Sequence, residues 1–227
     1  MEQERRMSDR TFYTPVPDRE RLAAAPASGT HGGQVLLLGD SISIGYTPGV
    51  CRLLQGCKTV CRPEANCGDT ECGLANIHAW LGGQRWEVIH FNWGLHDLCY
   101  RHPEARLYGN RDKVRGTQSV PVDRYAANMR KLAGVMRLQA DRLVFATTTV
   151  VPEGEAGRFS GDEVKYNEAA LAVMKEHGIF IDDLYGLTWA MPPSSFIAPG
   201  DVHFTVEAYE VIARKVAGSI REVLSKG

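Results

Sequence analysis

Apolar residues along this chain fall into short unbroken runs, separated by longer stretches in which they recur every three or four positions. Val35-Leu36-Leu37-Leu38, Val88-Ile89-His90-Phe91, Leu143-Val144-Phe145-Ala146 and Ile179-Phe180-Ile181 are such runs. They are short, continuous and rich in branched residues, which predicts strands covered on both faces. Lys58-Thr59-Val60 is read as a further short strand. Between the runs lie helical periods: Leu74, Ile77 and Leu81; Tyr125, Met129, Leu132 and Met136; Val164, Leu171 and Met174. The last helix carries Tyr209, Ile212, Val216, Ile220 and Val223 on one face, with Thr205 as its N-cap. Strands alternating with helices predict an α/β fold of three layers, α/β/α, around a mostly parallel sheet. In such sheets the functional residues lie beyond the carboxyl ends of the strands.

Residues 1–33 show no sustained period. They contain Pro15, Pro17, Pro26 and Gly32-Gly33 and read as an N-terminal arm that packs on the surface or stays flexible. Such an arm could also mediate a homo-oligomer. Residues 34–227 are expected to form one domain, since 227 residues suit a single core. Lys+Arg 26 against Asp+Glu 27 leaves a net charge of -1. That removes nucleic acid as an expected partner, because phosphate binding needs a basic excess. No run is long enough to span a bilayer. No apolar stretch follows Met1–Arg6, so there is no secretory signal and a cytoplasmic location is expected. Cysteines stand at 51, 57, 61, 67, 72 and 99, without a Cys-x-x-Cys pair, so no metal site is read from them. They fit either reduced, mostly buried thiols or one or two disulfides bracing the loops near Cys67, Cys72 and Cys99.

The segments that follow the strands carry the chemistry. Gly39-Asp40-Ser41-Ile42 follows the first strand, where a serine at a strand-to-helix turn is backed by helix N–H groups suited to an oxyanion. Taken alone, Asp40 and Ser41 also fit a plain helix cap. Asn66-Cys67-Gly68-Asp69-Thr70 follows the second strand, and its glycine permits close backbone approach to a ligand. Asn92-Trp93-Gly94-Leu95-His96-Asp97 follows the third. Pro199-Gly200-Asp201-Val202-His203 precedes the last helix, where a loop histidine can act as general base toward a serine at a neighbouring strand end.

In this order the segments resemble the four motif blocks of the SGNH, or GDSL, hydrolases. The likeness runs from about Val35 to the last helix. Gly39-Asp40-Ser41-Ile42 is similar to the Gly-Asp-Ser-Leu block, Gly68-Asp69-Thr70 to the second, Gly94-Leu95-His96-Asp97 to a third that usually reads Gly-x-Asn-Asp, and His203 to the histidine of the final Asp-x-x-His. Lys165-Tyr166-Asn167-Glu168-Ala169 also resembles a helix segment common in bacterial members. The resemblance implies a flavodoxin-like fold and a serine esterase or lipase needing no cofactor. Ser41 would be the nucleophile and His203 the base. The N–H groups of Ser41 and Gly68 would form the oxyanion hole, with a donor from the third block.

Two departures follow. The third-block asparagine is His96 here, so the imidazole is expected to supply the oxyanion donor, with Asn92 as an alternative. The acid is out of register: position 200 is glycine, and Asp201 stands two residues before His203. Either Asp201 orients the imidazole, since alternate residues of an extended segment share a side, or a Ser–His dyad operates. Trp93 and Trp189 are candidates for an acyl or sugar pocket, although either also suits core packing. The 98–121 connection carries Arg101, His102, Arg106, Arg111, Lys113 and Arg115 against Glu104 and Asp112. Its positive excess either favours an anionic substrate or forms a solvated face. The resulting expectation is a short-chain carboxylic ester hydrolase, foremost a carbohydrate O-acetylesterase. A thioesterase or lysophospholipase, and a non-catalytic ligand-binding homologue, stay open.

Overall fold

The computed structural model describes residues 34–226; the N-terminal arm lies outside the described residues. Strands β1 (Gln34–Leu38), β2 (Thr59–Cys61), β3 (Trp86–Phe91), β6 (Ala140–Ala146) and β7 (Phe180–Asp182) form one sheet in the order β2-β1-β3-β6-β7. Every pairing in it is parallel. Helices α1 (Ser41–Leu54), α2 (Thr70–Leu81), α3 (Val122–Leu138), α4 (Asp162–His177), α5 (Leu184–Trp189) and α6 (Val206–Ser225) connect and cover it. Helix α1 packs on α6, whereas α3 packs between α2 and α4, giving the two helical layers. A small antiparallel pair, β4 (Tyr100–Arg101) with β5 (Thr117–Gln118), stands apart in the long connection after β3.

Three of the apolar runs become the inner strands β1, β3 and β6, whereas Ile179-Phe180-Ile181 becomes the edge strand β7, where Phe180 and Ile181 are only half-buried because no further strand covers them. Val35 to Leu38 are at most 2% exposed, and burying each leucine contributes about 1.5–3 kcal/mol. His90 interrupts the β3 run yet is fully buried. Its Nε2 lies 3.0 Å from the Asp182 carboxylate on β7, which meets the hydrogen-bonding need of one ring nitrogen, a need that an apolar reading ignores.

One helical stripe is differently composed than its spacing suggests. On α4, Met174 is buried, but Val164 is only partly so and Leu171 faces solvent. The buried face holds Tyr166, Ala170 and Val173 together with the polar Glu163 and Asn167. Asn167 Nδ2 donates to the Thr148 carbonyl (2.9 Å), and its Oδ1 accepts the Thr148 N–H (2.7 Å). The carboxamide thus continues the β6 edge as a strand neighbour would. Glu163 likewise accepts the N–H groups of Val151 and Gly161. Loop backbone that has left the sheet still needs partners, and these polar residues supply them.

All six cysteines are free thiols, and burial pushes the Cys67 thiol up to about 11. Among the described residues, no helix is long and apolar enough to cross a membrane, and no group of three or more His, Cys, Asp or Glu side chains could hold a metal ion.

Candidate active site

The strand order reverses direction at β1, with β2 on one side and β3 on the other. A crevice opens beyond the carboxyl ends at such a point. The β1–α1 turn feeds Ser41 into it. Buried Asp40 caps α1, its Oδ1 accepting the Ile42 N–H (2.9 Å), so Ser41 occupies the first helical position, where backbone N–H groups have no partner within the helix.

His203 arrives from the loop before α6. Its backbone is pinned by a short bridge: the Ile197 N–H donates to the His203 carbonyl (3.0 Å), the Thr205 N–H donates to the Ser195 carbonyl (2.8 Å), and Phe196 stacks on Phe204. His203 Nε2 lies 2.8 Å from Ser41 Oγ, and Nδ1 lies 2.6 Å from Asp201 Oδ1. The same carboxylate oxygen accepts the backbone N–H of His203 (2.9 Å). With Nδ1–H donated to Asp201, the Nε2 lone pair is left to accept the Ser41 hydroxyl proton. Burial raises the Asp201 carboxyl, but hydrogen bonds from the His203 ring and backbone outweigh it and hold the group below its ordinary range.

The structure explains why the acid sits at 201 and not at 200. Gly200 has φ +72°, and a Cβ there would stand 2.8 Å from the Gly154 carbonyl oxygen. Any side chain would clash with backbone that cannot give way, so the carboxylate moves to the next residue. From there one oxygen meets both His203 Nδ1 and the His203 backbone N–H.

The second and third segments close the other side. The Cys67 N–H donates to the Gly39 carbonyl (3.2 Å), tying this loop to the β1–α1 turn. Buried Arg62 reaches the Gly39 and Ala65 carbonyls from behind (3.5 and 3.4 Å). Trp93 Nε1–H donates to the Cys67 carbonyl (3.3 Å), and the Gly68 N–H donates to Asn66 Oδ1 (2.9 Å). Fully buried Asp97 accepts the N–H (2.9 Å) and the hydroxyl (2.5 Å) of Thr70, locking the start of α2 to the third segment. Gly94, with φ +153°, passes so near β6 that a Cβ would meet Thr148 Oγ1 at 2.0 Å.

His96 is half-buried beside this junction. Burial lowers its pKa, Arg158 and Arg101 act in the same direction, and Asp40 and Asp69 oppose them. The ring is therefore neutral at neutral pH and keeps one N–H to donate.

Burial pushes Asp97 up to about 7 despite the two Thr70 hydrogen bonds. Its folded pKa thus lies above the ordinary carboxylate value of about 3.9. The protonated form favours the fold, and that contribution is complete below about pH 4 and lost as pH rises through about 7. Asp97→Asn keeps an acceptor for Thr70 without the charge. Thermal midpoints measured from pH 4 to 8 are expected to decline across this window in the parent and to flatten in the variant; equal slopes would count against it.

The other candidates are placed less directly. Asn92 Nδ2 donates to the Ala146 carbonyl (2.7 Å), joining the ends of β3 and β6. Trp93 is fully buried and supports the Cys67–Gly68 turn from behind. Trp189 is 66% exposed and lines a cleft of about 430 Å³ with Val150, Val151, Met191, Phe196 and Gly200. This cleft adjoins the loop that carries Asp201. The basic residues of the 98–121 connection are largely engaged within it and with its neighbour. Arg101 bonds Ser119 and Gly109, Arg115 pairs with Asp112, and Lys113 bonds the Arg158 carbonyl and lies over Phe159. Arg111 and Arg158 share the buried carboxylate of Glu155. Arg111 and Lys113 thus fasten this loop onto residues 155–159, which weakens the reading of an anionic substrate.

Sequence reasoning overlooked Asp97, Arg62 and Asn66. Asp97 had a signal, as the last residue of the third block. Asn66 also had one, as a turn residue two positions before Gly68, whose N–H it accepts; Arg62 had none, because its role arises from loops meeting in space.

No family model and no curated protein sequence matches the chain. Solved structures do. A lipase/acylhydrolase from Enterococcus faecalis is similar with TM-score 0.69 and 16% identity, over 84% of this chain and 96% of that one. The acetyl xylan esterase AlAXEase is similar with TM-score 0.66 and 13% identity, over 82% and 99%. Axe2, an acetylxylan esterase from Geobacillus stearothermophilus, is similar with TM-score 0.64 and 16% identity, over 83% and 94%. The five-stranded parallel sheet between two helical layers is the SGNH-hydrolase-like α/β/α fold.

Proposed function

We propose that this protein is a serine ester hydrolase acting on short-chain carboxylic esters, with carbohydrate O-acetyl esters as the leading natural substrate class. The observation that carries this reading is the unbroken relay Asp201 Oδ1–His203 Nδ1 (2.6 Å) and His203 Nε2–Ser41 Oγ (2.8 Å) at the switch point of the sheet. Two of the similar solved structures are acetyl xylan esterases, which supports the acetyl preference.

In the first step Ser41 Oγ attacks the ester carbonyl carbon while His203 Nε2 takes the hydroxyl proton. The carbonyl oxygen becomes an oxyanion, met by the N–H groups of Ser41 and Gly68 and by the His96 ring. The tetrahedral species collapses as His203 passes its proton to the leaving alkoxide, releasing alcohol and leaving Ser41 acylated. Water, deprotonated by His203, then attacks the acyl carbon, and the proton returns to Ser41 as the acid departs. Asp201, held ionised, keeps Nδ1 protonated and stabilises the transient imidazolium.

A fluorophosphonate probe tests the reading. Mass spectrometry of the digested protein is expected to find the adduct on Ser41, and loss of labelling in His203→Ala. An unlabelled Ser41 would favour a ligand-binding role.

The donor role of His96 has its own test. His96→Ala is expected to lower kcat by roughly 10²–10³, the effect of deleting one oxyanion donor, whereas His96→Asn retains most activity. Because burial lowers the His96 pKa below the ordinary histidine value, the parent's rate should not fall through loss of a charged His96 between pH 7 and 8. Full activity of His96→Ala would remove it from the oxyanion hole.

The 430 Å³ cleft favours a second reading. Its walls at Val150, Val151, Met191 and Phe196 suit an acyl chain, as in a thioesterase or lysophospholipase. Rates for acyl groups of two to twelve carbons separate the two: a fall beyond four carbons supports the acetylesterase, a rise supports the second.

A further inference from the structure

The proposed mechanism assigns Gly68 N–H to the oxyanion, yet in the structure that N–H is already donated, at 2.9 Å, to Asn66 Oδ1. We infer that the Asn66 side chain is a resting-state occupant of the oxyanion hole, which the developing oxyanion must displace. The inference rests on the serine-hydrolase reading.

The argument is one of direction. A peptide N–H points opposite to the carbonyl of the same planar unit. For the Cys67–Gly68 peptide, that carbonyl accepts the indole N–H of fully buried Trp93 (3.3 Å), and the preceding N–H of Cys67 is held by the Gly39 carbonyl (3.2 Å). The Trp93 contact therefore orients this peptide, and the Gly39 contact holds the one before it. Asn66, an exposed residue, is not required for that purpose. A single N–H makes one strong, linear hydrogen bond. Whatever accepts along the Gly68 N–H direction stands where the substrate oxyanion must stand, so the Asn66 carboxamide oxygen and the oxyanion compete for one position. Being exposed, Asn66 can swing into solvent without disturbing the core.

The role differs from that of a residue that builds the hole. A builder's removal lowers the rate. Removal of a competitor raises it, and does so for the transition state more than for the neutral ground-state ester. The bond given up is exposed and of ordinary strength, so the gain should be modest, on the order of two- to tenfold.

The test compares the parent with Asn66→Ala and Asn66→Asp. It uses 4-nitrophenyl acetate as substrate and phenylboronic acid, which forms a tetrahedral anion on a reactive serine, as the transition-state probe. Asn66→Ala is expected to raise kcat by about two- to tenfold with KM unchanged, and to tighten phenylboronic acid by the same factor. Asn66→Asp, an acceptor whose charge also repels the oxyanion, is expected to lower kcat and weaken the probe. Thermal midpoints within a degree or two of the parent confirm that folding is not involved. Lower or unchanged kcat in Asn66→Ala, with parent turnover still dependent on Ser41, overturns the competitor role alone. Absence of Ser41-dependent turnover and of boronate binding in the parent overturns the serine-hydrolase reading, and this inference with it.

Discussion

Ser41→Ala is expected to remove essentially all hydrolysis of 4-nitrophenyl acetate, a loss of up to roughly 10⁶ in kcat, while leaving the fold intact. The size follows from the site's construction. In the proposed mechanism Ser41 Oγ is the atom to which the acyl group bonds, so its loss also idles His203, whose Nε2 lies 2.8 Å from that hydroxyl in the parent. The residual rate would come from the oxyanion donors alone, which serve a water molecule poorly. Structural cost should be small. Ser41 lies at the first position of α1, and the cap is Asp40, whose bond to the Ile42 N–H is untouched by the change. Steady-state kinetics and a thermal melt on one preparation decide the matter. Turnover within a hundredfold of the parent would mean another nucleophile, or no acyl-enzyme at all.

Asp201→Asn is expected to lower kcat by about 10⁴, the second-largest effect. The carboxylate accepts from His203 Nδ1 and from the His203 backbone N–H through the same oxygen. An asparagine that turns its oxygen to the backbone presents an NH₂ near Nδ1. The ring then protonates at Nε2 and offers Ser41 a donor in place of a base. Asp201→Ala should be milder, because water can accept Nδ1–H at this partly open position. Asp201 is held below its ordinary pKa, so the folded state gains from its ionisation above about pH 4, and that gain disappears as pH falls through the depressed value. Activity of Asp201→Asn within a few-fold of the parent would establish a Ser–His dyad.

How far the chain could be read in advance varies with the kind of interaction. The apolar runs at Val35–Leu38 and Leu143–Ala146 were legible as central strands, since burial on both faces admits no other pattern. Helix α6 was legible down to its Thr205 cap, whose hydroxyl accepts the Ala208 N–H. Helix α4 was not, because its inner face uses Glu163 and Asn167 to satisfy loop backbone, and a hydrophobic period cannot register that. The 98–121 connection looked like a charged surface. In space its Arg111 meets Arg158 on buried Glu155, a residue 44 positions further along the chain.

By itself, the sequence determined the alternation of strand and helix and the residue types after each strand, because both are written in local order. Ser41, Gly68, His96 and His203 could be picked out that way. Only the tertiary structure decided the rest. It showed why position 200 carries no acid, since the Gly154 backbone leaves no room for a side chain there. It withdrew Trp93 and Asn92 into support of the strand ends. These outcomes depend on distances between segments far apart in the chain, which no spacing along it encodes.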